Sequence, residues 1–397
     1  MHQPARMDST ALLLMGGGSR AAYQAGVLRG IARLARECAP DAVGSPFDVI
    51  CGTSAGAING VGLARGAQDF LQATEALVQL WAKLHADRVY RTDVGRVGAS
   101  GARWLTALAF GWMTGRTPRA LFDNTPLREL LLEQHDAQQL QAAFDAGALR
   151  ALAVTALSYT TGRHVTFYQS PHVVLPWRRS QRIAVTDTIG VPHLLASSSI
   201  PFLFPAEPVQ LEGNDEWFGD GTMRQMSPLS PAIHLGASRI LVVGAASRQQ
   251  PGWYDTVPAS GYPSLAQVAG QALASVFLDG LSADIERLQH VNAMVSRNPE
   301  IADARDGWRK IEVLVMSPSE RIELIAARHV QRLPGTVRAL LRPLGGTEAR
   351  GAAFASYLLF EPEFTRELID LGERDALARR DELAAFLYGV VPDTMAA

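Results

Sequence analysis

The chain has 397 residues, 47% hydrophobic and 19% charged, with a formal net charge of −2. Near-neutrality without any block of like charge leaves no electrostatic footprint for nucleic acid. Lysine occurs only at Lys83 and Lys310, which excludes a Walker loop and argues against a Ser–Lys catalytic pair. The two cysteines, Cys38 and Cys51, offer neither a disulfide framework nor a metal spacing. Cys51 sits in an apolar run and reads as a small core residue. The first apolar run is about five residues long, short of the roughly 7–15 of a signal h-region. No stretch of ~18 uninterrupted apolar residues marks a spanning helix. The expectation is a cytoplasmic protein without metal or cofactor, with peripheral membrane contact left open.

Ala11–Met15 reads as a short buried parallel strand ended by glycine. After Gly16-Gly17-Gly18, Ala21–Arg36 reads as a helix that puts Tyr23, Val27, Ile31 and Leu34 on one face. Phe47–Gly52 is a second strand, and Ser54–Gly66 a helix rich in small residues. This βαβα opening predicts a parallel sheet covered by helices. Residues from about Gln68 to Arg150 read as mostly helical. Further strands are expected at Ala151–Ser158, His164–Gln169, Arg239–Ala246 and Ile311–Pro318. Helical sequence lies between the last two and again beyond Pro318. The simplest division is one α/β domain over residues 1–318, its motifs within residues 10–235, and a helical C-terminal extension over 319–397.

The run Gly16-Gly17-Gly18-Ser19-Arg20-Ala21 admits two readings. It fits G-x-G-x-x-A, which cradles a dinucleotide pyrophosphate, or it supplies bare N–H groups to a transient oxyanion. A dinucleotide site needs an acid at the end of the second strand, roughly 20 residues on. That strand ends Cys51-Gly52-Thr53-Ser54, and Asp48 lies near its start, the wrong end.

Gly52-Thr53-Ser54-Ala55-Gly56 matches G-x-S-x-G. A nucleophilic serine needs a sharp strand-to-helix turn, and Gly52 and Gly56 relieve crowding around it. The following helix N-terminus favours developing negative charge. The plainer alternative makes Ser54 an ordinary helix cap. For a base, His234, His290 and His329 follow Asp220 in chain order. Yet Ser54 comes after only one βαβ unit, too early for an α/β-hydrolase sheet, and His290 and His329 sit among charged residues in helical patterns. Asp220-Gly221, after Trp217 and Phe218, is the better candidate, although Asp-Gly is also common in surface turns. The two aromatic residues are expected to dehydrate the carboxylate and strengthen it as a base. A carboxylate touching the serine directly makes a dyad without histidine.

The glycine loop, the serine turn and Asp220-Gly221, in this order, resemble the patatin-like phospholipases, serine lipid acyl hydrolases with a Ser–Asp dyad. Ala196–Val209, Ser227–Val243, Ser317–Ala326 and Ala355–Ala376 extend the resemblance. It implies a three-layer α/β/α fold around a mostly parallel central sheet. It also implies Ser54 as nucleophile, Asp220 as proton acceptor, and the N–H groups of Gly16, Gly17 and Gly18 as oxyanion hole. Arg20 matches a basic position of the family loop, either catalytic or a loop-shaping ion pair. The implied substrate is a phospholipid or another acyl ester, cleaved through an acyl-enzyme. The competing readings are a non-catalytic lipid-binding protein on the same fold and the dinucleotide protein above. Two positions depart from the family pattern: Ala21 stands where glycine is usual, and Thr222 where glycine or alanine is. Alanine fits only if residue 21 is already helical. The aromatic stretch Gly101–Gly115 reads as a membrane-touching helix, an acyl-pocket wall or a buried core helix.

Overall fold

Successive side chains of strand β1 (Thr10–Leu14) enter two different cores. Leu12 and Leu14 join one apolar cluster, while Ala11, Leu13 and the following Met15 join the other. A strand apolar on both sides requires helices on both faces of its sheet. The computed structural model, which describes residues 9–93, 95, 98, 120–179, 181–245, 262–298, 308–348 and 351–390, has this architecture.

The parallel half of the sheet runs β10 (Glu312–Met316), β9 (Arg239–Val243), β1, β2 (Val49–Thr53) and β3 (Ala151–Ser158). Antiparallel β4 (His164–Gln169) follows, then β6 (Arg182–Thr186) and β5 (Arg178–Arg179). A hairpin of β7 (Glu207–Leu211) and β8 (Asn214–Asp220) joins through β3. One face is covered by α1 (Ala22–Cys38), α2 (Ala55–Arg65) and α3 (Phe70–Ala82), with α4 (Thr125–Gln134), α5 (Ala137–Asp145) and α6 (Val191–Ser197). The other takes α7 (Ser230–His234) and α8 (Leu265–Arg297), through Leu229, Ala232, Leu281 and Leu288. Three layers result, as expected.

Strands β3 and β4 occupy the residues read from sequence. The pair β7–β8 was not anticipated, and its inner face explains why. β7 turns Glu207, Val209 and Leu211 inward, so a charge interrupts the apolar alternation that betrays a strand. Glu207 is compensated by Arg128, which reaches both carboxylate oxygens at 2.7 Å.

The feature that positions the site lies along one edge of β3. Residues 151–155 of that edge pair with β2 in parallel, ending at Thr53↔Thr155. Residues 156–158 pair with β8 in antiparallel, ending at Ala156↔Asp220. β4 occupies the opposite edge of the same residues. β2 and β8 therefore approach each other head-on along β3, one delivering Ser54 and the other Asp220.

The C-terminal helices α9 (Ile322–His329), α10 (Gly335–Leu341), α11 (Ala352–Ala355), α12 (Pro362–Ala378) and α13 (Arg380–Tyr388) pack against this frame. α12 lies along α1 with the backbones nearly touching. A Cβ on Gly26 would overlap the Ile369 carbonyl, and one on Gly372 the Tyr23 carbonyl. Arg29 and Arg33 flank the seam with ion pairs to Asp370 and Glu373. Gly26→Val is expected to cost about 1–3 kcal/mol by overpacking, read as a lowered urea midpoint. Faster hydrogen exchange in residues 362–378 would place the damage at this seam.

Candidate active site

Strand β2 ends at Thr53, and the chain reverses into α2 through a single residue. Ser54 has φ 57° and ψ −133°, a conformation that costs a non-glycine residue on the order of 1–3 kcal/mol. The turn has no room for side chains on either side. A Cβ on Gly56 would strike the Leu14 and Met15 carbonyls, and one on Gly52 the backbone of Ala57. The elbow is thereby pressed against the end of β1, where the glycine loop starts.

Ser54 is 1% exposed, and its Oγ donates to Asp220 Oδ2 at 2.6 Å. Asp220, also 1% exposed, closes β8. The surface-turn alternative fails, because the turn of this hairpin is Glu212-Gly213. The other carboxylate oxygen, Oδ1, accepts the Thr222 N–H at 2.9 Å and the Thr222 hydroxyl at 2.7 Å. Burial pushes the Asp220 carboxyl up from the ordinary 3.8 to about 6, against the opposing pull of hydrogen bonds from Ser54 and Thr222. Of the two aromatic residues expected to dehydrate the carboxylate, one turns inward. Phe218 is fully buried, but Trp217 lies on the opposite face of β8 and is 52% exposed. Alternation along a strand forbids neighbours from sharing a face.

Ser197, at the end of α6, ties the two halves together. Its hydroxyl accepts the Ser54 N–H at 2.8 Å and donates to the Thr155 carbonyl at 2.6 Å. Its carbonyl accepts the Gly221 N–H, and that of Ser199 accepts the Asp220 N–H. Nothing in the run Ser197-Ser198-Ser199 distinguishes this residue by sequence; its role appears only when the strand ends meet.

After β1 the chain passes through Gly17 at φ 169° and ψ 8°, then Gly18 at φ +56°. Among the described residues, the N–H groups of Gly16, Gly17 and Gly18 donate to no protein acceptor. Gly18 and Ser54 line the same pocket. Ala21 has φ −67° and ψ −8°, already helical, so alanine is accommodated there without strain. Behind the loop runs a buried polar chain that sequence reasoning missed. Trp81 donates to Asn59, and Asn59 to Gln24 and the Ala21 carbonyl. Gln24 in turn donates to the Met15 and Val243 carbonyls, at 2.7 and 3.1 Å. The only trace of this chain in the sequence is a polar residue on an otherwise apolar helix face.

The sequence pattern of the patatin-like phospholipases matches residues 12–233, the span that holds loop, elbow and Asp220. The chain belongs to the patatin-like phospholipase family. Curated proteins yield no significant sequence match. Among solved structures, human GIVD cytosolic phospholipase A2 aligns at 12% identity over 98% of this chain and 64% of its own, with a TM-score of 0.45. This chain thus spans less than two thirds of that protein. VipD from Legionella pneumophila aligns at 12% identity over 94% and 88%, with a TM-score of 0.31. ExoU of Pseudomonas aeruginosa, in complex with SpcU, aligns at 16% over 95% and 78%, with a TM-score of 0.26.

The patatin-like segment does not hold its loop alone. Arg20 is fully buried and turns into the C-terminal helices, beyond the matched span. Its Nε donates to Ser356 Oγ at 2.7 Å, Nη2 to the Ala353 carbonyl at 2.9 Å, and Nη1 to Glu323 at 3.1 Å. The guanidinium also stacks 4.1 Å from the Tyr357 ring centre. Ser19 adds bonds from its N–H to the Tyr357 carbonyl and from its hydroxyl to the Ser356 carbonyl. Of the two readings of Arg20, these contacts favour the loop-shaping ion pair.

An apolar pocket opens at Ser54, walled by Ile58, Leu80, Trp81, Leu130, Phe204 and Phe360. A second apolar pocket lies beyond the shared wall of Ile58, Leu80 and Leu130. The histidines considered as bases are engaged elsewhere. His234 bonds within α7 and stacks on Trp177. His290 bonds to the Glu286 carbonyl, and His329 to Glu367. Asp48 accepts the Thr10 N–H at 2.9 Å, which leaves the end of β2 without the acid a dinucleotide ribose needs. Cys51 is buried in the core, which pushes its thiol up to about 12. No helix among the described residues is long and apolar enough to cross a membrane, and Gly101–Gly115 lies outside them.

Arg20→Ala strips the loop of its anchor and is expected to cost about 2–4 kcal/mol. Hydrogen exchange should quicken together in residues 16–20 and 352–358. Unchanged exchange in the second segment would separate the loop from the C-terminal helices.

Proposed function

We propose that the protein is a serine lipid acyl hydrolase working through a Ser54–Asp220 dyad. The observation that carries this reading is the 2.6 Å contact between Ser54 Oγ and Asp220 Oδ2, made beside an apolar pocket that Gly18 also lines, next to a glycine loop whose N–H groups meet no protein acceptor among the described residues. Asp220 accepts the Ser54 proton as Oγ attacks the ester carbonyl. The tetrahedral oxyanion is held by the N–H groups of Gly16, Gly17 and Gly18, aided by the N-terminal field of α2. Asp220 passes its proton to the leaving alcohol or lysolipid, and the acyl group stays on Ser54. Water then gives a proton to Asp220 and attacks the acyl-enzyme, releasing the carboxylic acid and restoring Ser54. A carboxyl near 6 is ionised at neutral pH yet basic enough to accept that proton. The acyl chain lies in the pocket beside Ile58 and Leu130, and the substrate class is a phospholipid or another long-chain acyl ester met at a lipid surface.

Ser54→Ala and Asp220→Asn are each expected to lower kcat/KM on a panel of lipid esters by at least about 10³-fold. A fluorophosphonate probe should label the wild type and leave Ser54→Ala unlabelled. Labelling of both proteins alike would sink the dyad. Because the base must be ionised, wild-type kcat/KM should fall about tenfold per unit below pH 6; a flat profile down to pH 4.5 would contradict this role for Asp220.

Leu130→Trp fills the pocket next to Ser54. It is expected to lower hydrolysis of palmitoyl esters by about tenfold or more relative to acetyl esters. Equal losses on both would place the acyl chain elsewhere.

A further inference from the structure

Asp220 has two oxygens, and only one serves Ser54. The other, Oδ1, is held among the described residues from the next turn, by the N–H and the hydroxyl of Thr222. Almost any residue at position 222 would offer the N–H; only serine or threonine adds a hydroxyl at that reach. Thr222 is buried, as the base itself is, at 2% and 1% exposure, so bulk solvent does not stand in for a missing donor. A buried carboxylate short of donors is costly. One free to turn about its Cβ–Cγ bond also presents the accepting oxygen only part of the time.

We propose that Thr222 is a positioning residue for the base: its hydroxyl clamps Oδ1 and keeps Oδ2 aimed at Ser54 Oγ. The same hydrogen bond favours the charged carboxylate over the neutral acid. The proposal rests on the Ser54–Asp220 reading above and deepens it.

The surroundings leave this task to hydrogen bonds. Tyr159, beyond the end of β3, is raised by burial and by the Asp220 charge, and so stays neutral. His164, on β4, is lowered by burial to about 4, and its Nε2 sits 2.7 Å from the Gly221 carbonyl. A carbonyl only accepts, so that nitrogen carries the proton and the ring is neutral. Cys51, on β2, is a neutral thiol. Arg224, four residues along, is exposed and bonds to Gln181 and the Gly162 carbonyl. No cation among the described residues contacts Asp220, so donors alone offset its burial. Two of the three come from Thr222 and one from Ser54.

The test is the pH profile of kcat/KM, from pH 4.5 to 9, on a soluble short-chain p-nitrophenyl ester. Thr222→Val keeps the branched shape and removes the hydroxyl. Its acid limb is expected to move up by about one pH unit, a loss of about fivefold at pH 6, with the alkaline plateau much less affected. Thr222→Ser should return the limb to its wild-type position. If the valine variant does not fold, Thr222→Ala removes the same hydroxyl without adding bulk and carries the same expectation. A limb that stays in place in the variant lacking the hydroxyl overturns the proposal, as does a serine variant that behaves like valine. Fluorophosphonate labelling of wild-type Ser54 runs alongside. Its absence would overturn the dyad reading and this proposal with it, whereas labelling with an unmoved limb overturns Thr222 alone.

Discussion

The end-on meeting of β2 and β8 along one edge of β3 is the constraint on which the site depends. Thr53↔Thr155 is the last pair of one ladder and Ala156↔Asp220 the first of the other. Two residues 166 positions apart thus arrive at adjacent points of a single template. A slip of one residue in either strand would turn Ser54 or Asp220 to the other face of the sheet. Ser197 guards against such a slip because its hydroxyl and carbonyl address β2, β3 and the Asp220 turn at once.

A strained serine and a buried carboxyl survive only if their surroundings over-determine them. Here the support comes from two directions. Behind the loop, the Trp81–Asn59–Gln24 chain fixes the Met15 and Val243 carbonyls, at the ends of β1 and β9. Above it, Ser356 and Tyr357 bind Ser19 and Arg20, and Phe360 walls the pocket. The helices beyond residue 318 therefore share the burden of shaping the loop and the pocket, although the family pattern ends at residue 233.

What could be read from sequence was what local chemistry dictates. Ser54 was legible because a strand, two glycines and a small-residue helix must surround such a serine. Asp220 was legible as a carboxyl after an aromatic run, though only Phe218 of that run turns inward. Residues whose meaning depends on distant partners stayed hidden. Arg20 had two readings until its contacts more than 300 positions away chose between them. Ser197 was one serine in a run of three. Thr222 registered only as a departure from the family pattern, since a sequence does not give the direction of a threonine hydroxyl. The β7–β8 hairpin was masked by an inward-facing glutamate whose arginine sits on another element.

The raised carboxyl of Asp220 has a thermodynamic counterpart. In the unfolded chain that group gives up its proton near 3.8, and in the folded chain only near 6. Between those values the folded form binds the proton more tightly, so acidification favours folding and rising pH weakens it. The ionised base then costs the fold on the order of 2–3 kcal/mol at neutral pH. The proton whose uptake would silence the proposed dyad also relaxes the protein, which is held under the most tension in the pH range where that dyad is proposed to work.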